Sequence, residues 1–229
     1  GCEPEEVVLV DVAPETQKTA ADFVATKRLT GVDAVCVTSL VQRGNRLFRR
    51  KDGRELPVRR IYNRLVFDEV LGKRGKVPFR WTDDLDVTWC SHPNWYWAWS
   101  KFCLPLLEHP SVPASRLLSE IDELPEDLSG YVLKPLFSFA GQGVVIDVTR
   151  ERLEGVPAAQ RDGWILQEKI EYAPAISMPD GAGVKVEVRV MLVRPPDSGT
   201  LEPLILLVRL SRGKMLGVDF NKDLTWVGG

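Results

Sequence analysis

Lys134 lies in the stretch YVLKPL, where Tyr131, Val132, Leu133 and Leu136 read as a strand that packs inward. An ammonium there must reach water or an anion, because an unpaired buried charge is expensive. Arg209, inside the apolar run LILLVRL at 204–210, poses the same demand. For either residue alone, snorkelling or a carboxylate partner would meet it. Between the apolar runs on either side lies the turn SFAGQG at 138–143, followed by Val144. Its small residues, with Ser138, Gly141, Gln142 and Gly143, present backbone N–H groups without side-chain obstruction, so the turn can close over a polyphosphate like a flap. A Walker loop is excluded, since that motif places its lysine after the glycines and opens a helix. Taken alone, the Gly-x-Gly turn is an ordinary hairpin. Further on, VKVEVRVMLV at 184–193 alternates strictly, which puts Lys185, Glu187 and Arg189 on one face.

The elements that must hold these residues follow from periodicity. An apolar strand at 6–12, helical spacing over 16–29 and a second strand at 31–41 open an α/β unit with a parallel sheet. Asp52-Gly53 predicts a β-hairpin whose second arm leads to IYNRLVFDEVL at 61–71. The aromatic cluster Trp95, Tyr96, Trp97 and Trp99 reads as interior packing. Lys101 follows it in a helix ended or kinked by Pro105. The stretch 111–125 is expected to form a short extended entry and then a helix with 119–123 at its acidic end. Strands are expected at 131–136, 144–148, 163–172, 184–193 and 201–213, so the C-terminal half is mostly antiparallel sheet. The fold class is α/β (α+β).

The bulk properties bound the function classes. The 229 residues, 44% hydrophobic and 27% charged, suit a globular chain of one large or two small domains. No apolar run reaches the ~18 residues of a membrane span, and no secretory leader is visible. The four cysteines have no C-x-x-C spacing and only two histidines accompany them, so reduced thiols and a cytoplasmic location are expected, without zinc. Residues 43–80 carry thirteen Lys/Arg against four acids, a net +9, and residues 81–130 carry a net −7. The basic band reads as a solvated face beside the acidic segment; aromatics for base stacking are sparse in it, which argues against nucleic acid.

The ordered set VLKPLFSFAGQGVVI, WILQEKI, VEVRVMLV, LLVRLS and DFNKDLTWVGG resembles the ATP-grasp superfamily, especially its glutathione-synthetase-like members. The resemblance covers about 95–229, with 1–90 similar to the Rossmann-like α/β domain that precedes the grasp and 91–229 as the grasp itself. It implies that Lys101 and Lys134 reach the ATP phosphates and that 141–144 form the flap. It further implies that Gln167, Glu168, Lys169 and Ile170 make the hinge for adenine and ribose, with Glu187 beside them. Arg189 and Arg209 then flank the transferred phosphate, and Asp219 and Asn221 hold Mg²⁺, for which hard oxygen ligands are suited. The implied activity is ATP-dependent ligation, in which a small carboxylate or peptide-like substrate is activated as an acyl phosphate and attacked by an amine or other nucleophile. Two other classes stay open: a nucleotide-binding but inactive regulator or scaffold, and an anionic-partner or nucleic-acid binder working through the basic band.

Overall fold

The computed structural model describes residues 2–66, 70, 76–138, 141–217 and 220–228, in two compact units, Gly1–Cys103 and Leu104–Gly229. It is a mixed α/β chain with several sheets and few helices. No helix among the described residues is long and apolar enough to cross a membrane.

In the first unit, β1 (Val7–Asp11), β2 (Asp33–Cys36), β6 (Arg60–Asn63) and β7 (Thr88–Cys90) form an all-parallel sheet in the order β2-β1-β6-β7. Val8, Leu9 and Val10 are fully buried, as a central parallel strand requires. The crossover helix α1 (Ala20–Thr30) starts later than its periodicity suggested, because a 3-10 turn at Pro14–Thr16 precedes it. The second expected strand, 31–41, is in fact two. A 3-10 turn at Val37–Ser39, closed by the Ser39 hydroxyl donating to the Cys36 carbonyl at 2.7 Å, separates β2 from β3 (Val41–Arg43). Val37 and Leu40 stay buried through the turn, so the apolar run in the sequence does not betray it.

Strand β3 joins β4 (Arg46–Lys51) and β5 (Arg54–Val58) in a separate antiparallel sheet. Asp52 and Gly53 have φ of 50° and 75°, the two positive values of a type I′ turn, as their identity predicts. The second arm continues into β6; part of the expected segment 61–71 lies outside the described residues. The basic band is engaged in ion pairs: Arg43 and Arg50 with Glu55, Arg46 with Asp86, Arg49 and Lys51 with Asp33, Arg59 with Glu6, Arg64 with Asp22, and Arg80 with Asp83. Most of these acids lie outside the acidic segment 81–130.

Two members of the aromatic cluster, Trp95 and Trp97, are not interior packing: Trp95 is 65% exposed and Trp97 is exposed beside it, on a 3-10 turn at Pro93–Trp95 and one helical turn at Tyr96–Trp99. The aromatic core of this unit is Phe79, with Trp81 and Trp89 edge-on at 5.1 and 6.0 Å. Lys101 opens a 3-10 helix, Lys101–Leu106, that contains Pro105.

The second unit has two antiparallel sheets. In the first, β10 (Trp164–Glu168) lies between β8 (Ser115–Leu117) and β9 (Tyr131–Pro135). Leu133 and Leu166 point to a core with Leu118, Ile121, Leu128, Val148, Leu153 and Val156. The opposite face carries Ser115, Gln167, Val132 and Lys134, since Gln167 pairs with Ser115 and Val132 and Lys134 pairs with Ile165. The expected helix with 119–123 at its acidic end is a single 3-10 turn, Leu118–Glu120. The expected return strand at 144–148 reduces to one bridge between Leu133 and Val145. Pro135 ends β9 without an N–H to extend that ladder.

The second sheet comprises β11 (Pro174–Ser177), β12 (Gly183–Val193) and β13 (Glu202–Ser211) in that order. The outer halves of β12 and β13 form a two-stranded ribbon whose large side chains, from Val188 to Val193 and from Leu204 to Val208, are exposed on both faces.

Candidate functional site

A cleft of about 950 Å³ opens between the two sheets of the second unit, within the ~300–1,000 Å³ span of small-molecule sites. Strand β9 contributes Val132 and Lys134, and β10 with the segment after it contributes residues 167–172. Lys185, Glu187 and Arg189 come from β12, Arg209 from β13, and Lys214, Met215, Leu216, Gly217 and Phe220 from the loop beyond. The alternation read from the sequence thus delivers Lys185, Glu187 and Arg189 together, and register places Arg209 directly opposite Glu187. Six cations, Lys134, Lys169, Lys185, Arg189, Arg209 and Lys214, face three carboxylates, Glu168, Glu171 and Glu187. The balance suits an anion that carries more charge than one carboxylate.

Five of the six cations are oriented by a hydrogen bond or ion pair. The Lys134 ammonium donates to the Gln167 side-chain oxygen, and burial pushes its pKa below the ordinary lysine range. Glu187 Oε1 accepts from Arg189 Nε at 2.5 Å and from Arg209 Nη1 at 3.3 Å. Arg209 Nη2 also donates to the Leu216 carbonyl at 2.7 Å, so one carboxylate and one carbonyl fix the guanidinium plane. Lys185 Nζ donates to the Gly213 carbonyl at 3.3 Å, and Lys214 pairs with Asp147 at 2.6 Å on the surface. Burial raises the Tyr172 phenol, with the Glu187 charge adding to it.

The segment after β10 is tied to the neighbouring chain by backbone hydrogen bonds. The Glu168 and Lys169 N–H groups donate to the Ala114 and Gly130 carbonyls at 2.9 and 2.8 Å, and the Glu168 carboxylate accepts from the Ala114 N–H at 3.3 Å. Among the described residues the Ile170 N–H makes no backbone hydrogen bond, which leaves it available at the cleft wall. Val132, Val144, Ile146, Ile170, Met215 and Leu216 give the cleft an apolar wall.

The glycine turn reaches the cleft through Gly141 and Val144, while Ser138, Gln142 and Gly143 stand outside its lining. Gly141 has φ of +82°, and a Cβ there would come within 2.7 Å of the Met215 terminal methyl. The turn therefore rests on the 213–217 loop. Gly141→Ala is expected to cost roughly 1–2 kcal/mol from the left-handed backbone alone. A lowered urea midpoint together with weakened ligand binding would check it.

Not every expected residue converges here. Lys101 belongs to the first unit, and the cleft is built wholly from the second. Asp219 lies outside the described residues. Asn221 is buried and committed: its Oδ1 accepts from Ser211 Oγ, Arg212 N and Gly213 N at 2.9–3.0 Å, and its Nδ2 donates to the Met215 and Gly217 carbonyls. It staples the loop that carries Lys214 and Met215, and no lone pair is left for a cation. Among the described residues no group of three or more His, Cys, Asp or Glu side chains could hold a metal. Asn221→Asp keeps the acceptor but sets a carboxylate against two carbonyls. A loss of roughly 1–2 kcal/mol in unfolding experiments is expected for a staple, whereas a metal ligand would tolerate the change.

Sequence reasoning missed Lys214, Met215 and Phe220, which follow Arg209 in an irregular loop. The clustering of Lys214 next to a strand bearing Arg209 was the one available signal. No protein-family model matches the chain, and no curated protein matches it.

Proposed function

We propose that the cleft binds ATP, that the second unit is an ATP-grasp domain preceded by a Rossmann-like α/β domain, and that the chain is a carboxylate ligase. The observation that carries this reading is the convergence of cations from both sheets and one loop on a single cleft with an apolar wall. In the reaction, a substrate carboxylate oxygen attacks the γ-phosphorus, the bond to the β-bridging oxygen breaks, and ADP leaves. An amine nitrogen then attacks the acyl carbon, the carbon–oxygen bond to phosphate breaks, and the nitrogen loses a proton. The protein's part is positioning and charge: Lys134 on the phosphates, and Arg189 and Arg209, aligned by Glu187, on the phosphoryl group in flight. Such preorganised donors stabilise charge without reorganising at the moment of reaction.

ATP at about 100 times its dissociation constant should add ~2.7 kcal/mol to stability. A thermal shift with ATP, followed by phosphate release on a panel of amino acids and polyamines, tests the two halves of the reading. The absence of a shift, with salt-sensitive binding of RNA or DNA instead, would overturn it. The commitment of Asn221 to its own loop favours a second reading, a module that binds nucleotide without ligation. That reading predicts the shift without phosphate release on any substrate.

A further inference from the structure

We propose that Ser115, which does not line the cleft, is the positioning residue for Lys134 and acts through the Gln167 carboxamide. The inference rests on the reading that Lys134 meets a polyphosphate. On the cleft-side face of the β8-β10-β9 sheet, Ser115 stands directly opposite Gln167, and Lys134 lies on the diagonal, opposite Ile165. Gln167 is buried, so its amide must be satisfied within the protein.

The direction of every bond in the row is dictated by its ends. Lysine can only donate, so the Gln167 oxygen must face Nζ. The Gln167 nitrogen then points the other way and donates to Ser115 Oγ at 2.7 Å. Ser115 Oγ, having accepted, uses its proton on the Pro113 carbonyl at 3.1 Å, a group that can only accept. The row therefore has one polarity, from ammonium to carbonyl, and the amide cannot flip without breaking both of its side-chain bonds. One of the three ammonium protons is held by Gln167, and two remain to point at a ligand. Without Ser115, the carboxamide loses the partner that fixes its far end, and the ammonium loses its aim rather than its charge.

Four variants test this: Ser115→Ala, Ser115→Thr, Lys134→Met, and Lys134→Met combined with Ser115→Ala. Calorimetric titration with ATP and, separately, with adenosine gives affinities, and the ¹⁵N signal of the Lys134 ammonium in nucleotide-free protein reports the hydrogen bond. Ser115→Ala is expected to weaken ATP about fivefold, the worth of one hydrogen bond, and to leave adenosine unchanged. Ser115→Thr, which keeps the hydroxyl, should restore ATP affinity, and Ser115→Ala should have no effect in the Lys134→Met background. An equal loss for adenosine, or a loss that persists without Lys134, overturns the proposal. If the wild-type protein binds no ATP, the nucleotide reading fails on its own. The ammonium signal still decides the relay then: a shift in Ser115→Ala supports it, and an unchanged signal sinks it.

Discussion

Lys134→Ala should weaken ATP binding by about 10- to 150-fold, the loss of one charge-assisted hydrogen bond of ~1.5–3 kcal/mol, while leaving the fold in place. The effect is large because the ammonium sits half-buried on a strand, where water screens its attraction to phosphate less than it would at the surface. The fold should survive because burial already disfavours the charged form, as the depressed pKa of Lys134 shows. Stability therefore rises with pH between the folded and unfolded pKa values, and at neutral pH the charged lysine is a net cost that alanine removes. Against that gain stands one unpaired oxygen on Gln167, worth ~1 kcal/mol or more. Titration of wild type and variant with ATP, alongside urea unfolding, checks both halves. Unchanged affinity would mean that Lys134 is only a structural cation.

The second large effect lies in the first unit. Asp33 receives Lys27 at 2.8 Å, Arg49 at 2.8 Å and Lys51 at 3.1 Å. Arg49 is only 3% exposed, and among the described residues its Nε and Nη2 make no hydrogen bond. Its charge thus depends on one carboxylate. Asp33→Asn should cost about 3 kcal/mol, the low end for a broken buried pair because Asp33 keeps some contact with water. Adding Arg49→Met should recover most of the loss, since an apolar side chain of similar length needs no partner.

The same pair has a pH signature. Burial by itself would raise the Asp33 carboxyl, but the hydrogen bonds from Lys27, Arg49 and Lys51 outweigh it and hold the group well below the usual carboxylate range. With the folded pKa depressed, the stabilisation is fully present above the unfolded value of about 3.9 and is lost as pH falls toward the folded one. Urea midpoints of wild type and Asp33→Asn should therefore differ at neutral pH and converge in acid. Parallel curves at all pH values would show that Asp33 acts through its shape and not its charge.

What could be read in the chain without its structure was whatever has a short period or a local rule. Asp52-Gly53 specified its turn because two adjacent residues must both take positive φ, and Lys185, Glu187 and Arg189 were placed together because a strand alternates. Features decided over distance were misread. Val37 and Leu40 are apolar because they are buried, yet the chain turns between them, so burial masqueraded as a single strand. The Trp95–Trp97 stretch looked like core because of its composition, but one helical turn after a proline leaves Trp95 and Trp97 exposed. Asn221 had the spacing of a metal ligand and the surroundings of a loop staple, and only the three donors aimed at its oxygen distinguish the two. Ser115 gave no signal, being an ordinary serine in a short strand whose importance lies in a neighbour fifty-two positions away.

The exposed ribbon of β12 and β13 carries a consequence for how securely the cleft is assembled. Both arginines stand on these strands, and side chains on a strand alternate sides, so a slip of one residue would turn Arg209 away from Glu187 and out of the cleft. Nearer the cleft, the antiparallel bridge between Leu210 and Gly228 and the staple of Ser211 by Asn221 hold the inner end of β13 in place. At the outer end, an irregularity between Met191 and Leu192 shifts the pairing once, so the strands meet there as Leu192 with Pro203. The alignment that supplies two arginines instead of one is thus pinned from the inside outward, and its guardians are a glycine, a serine and an asparagine that do not line the cleft.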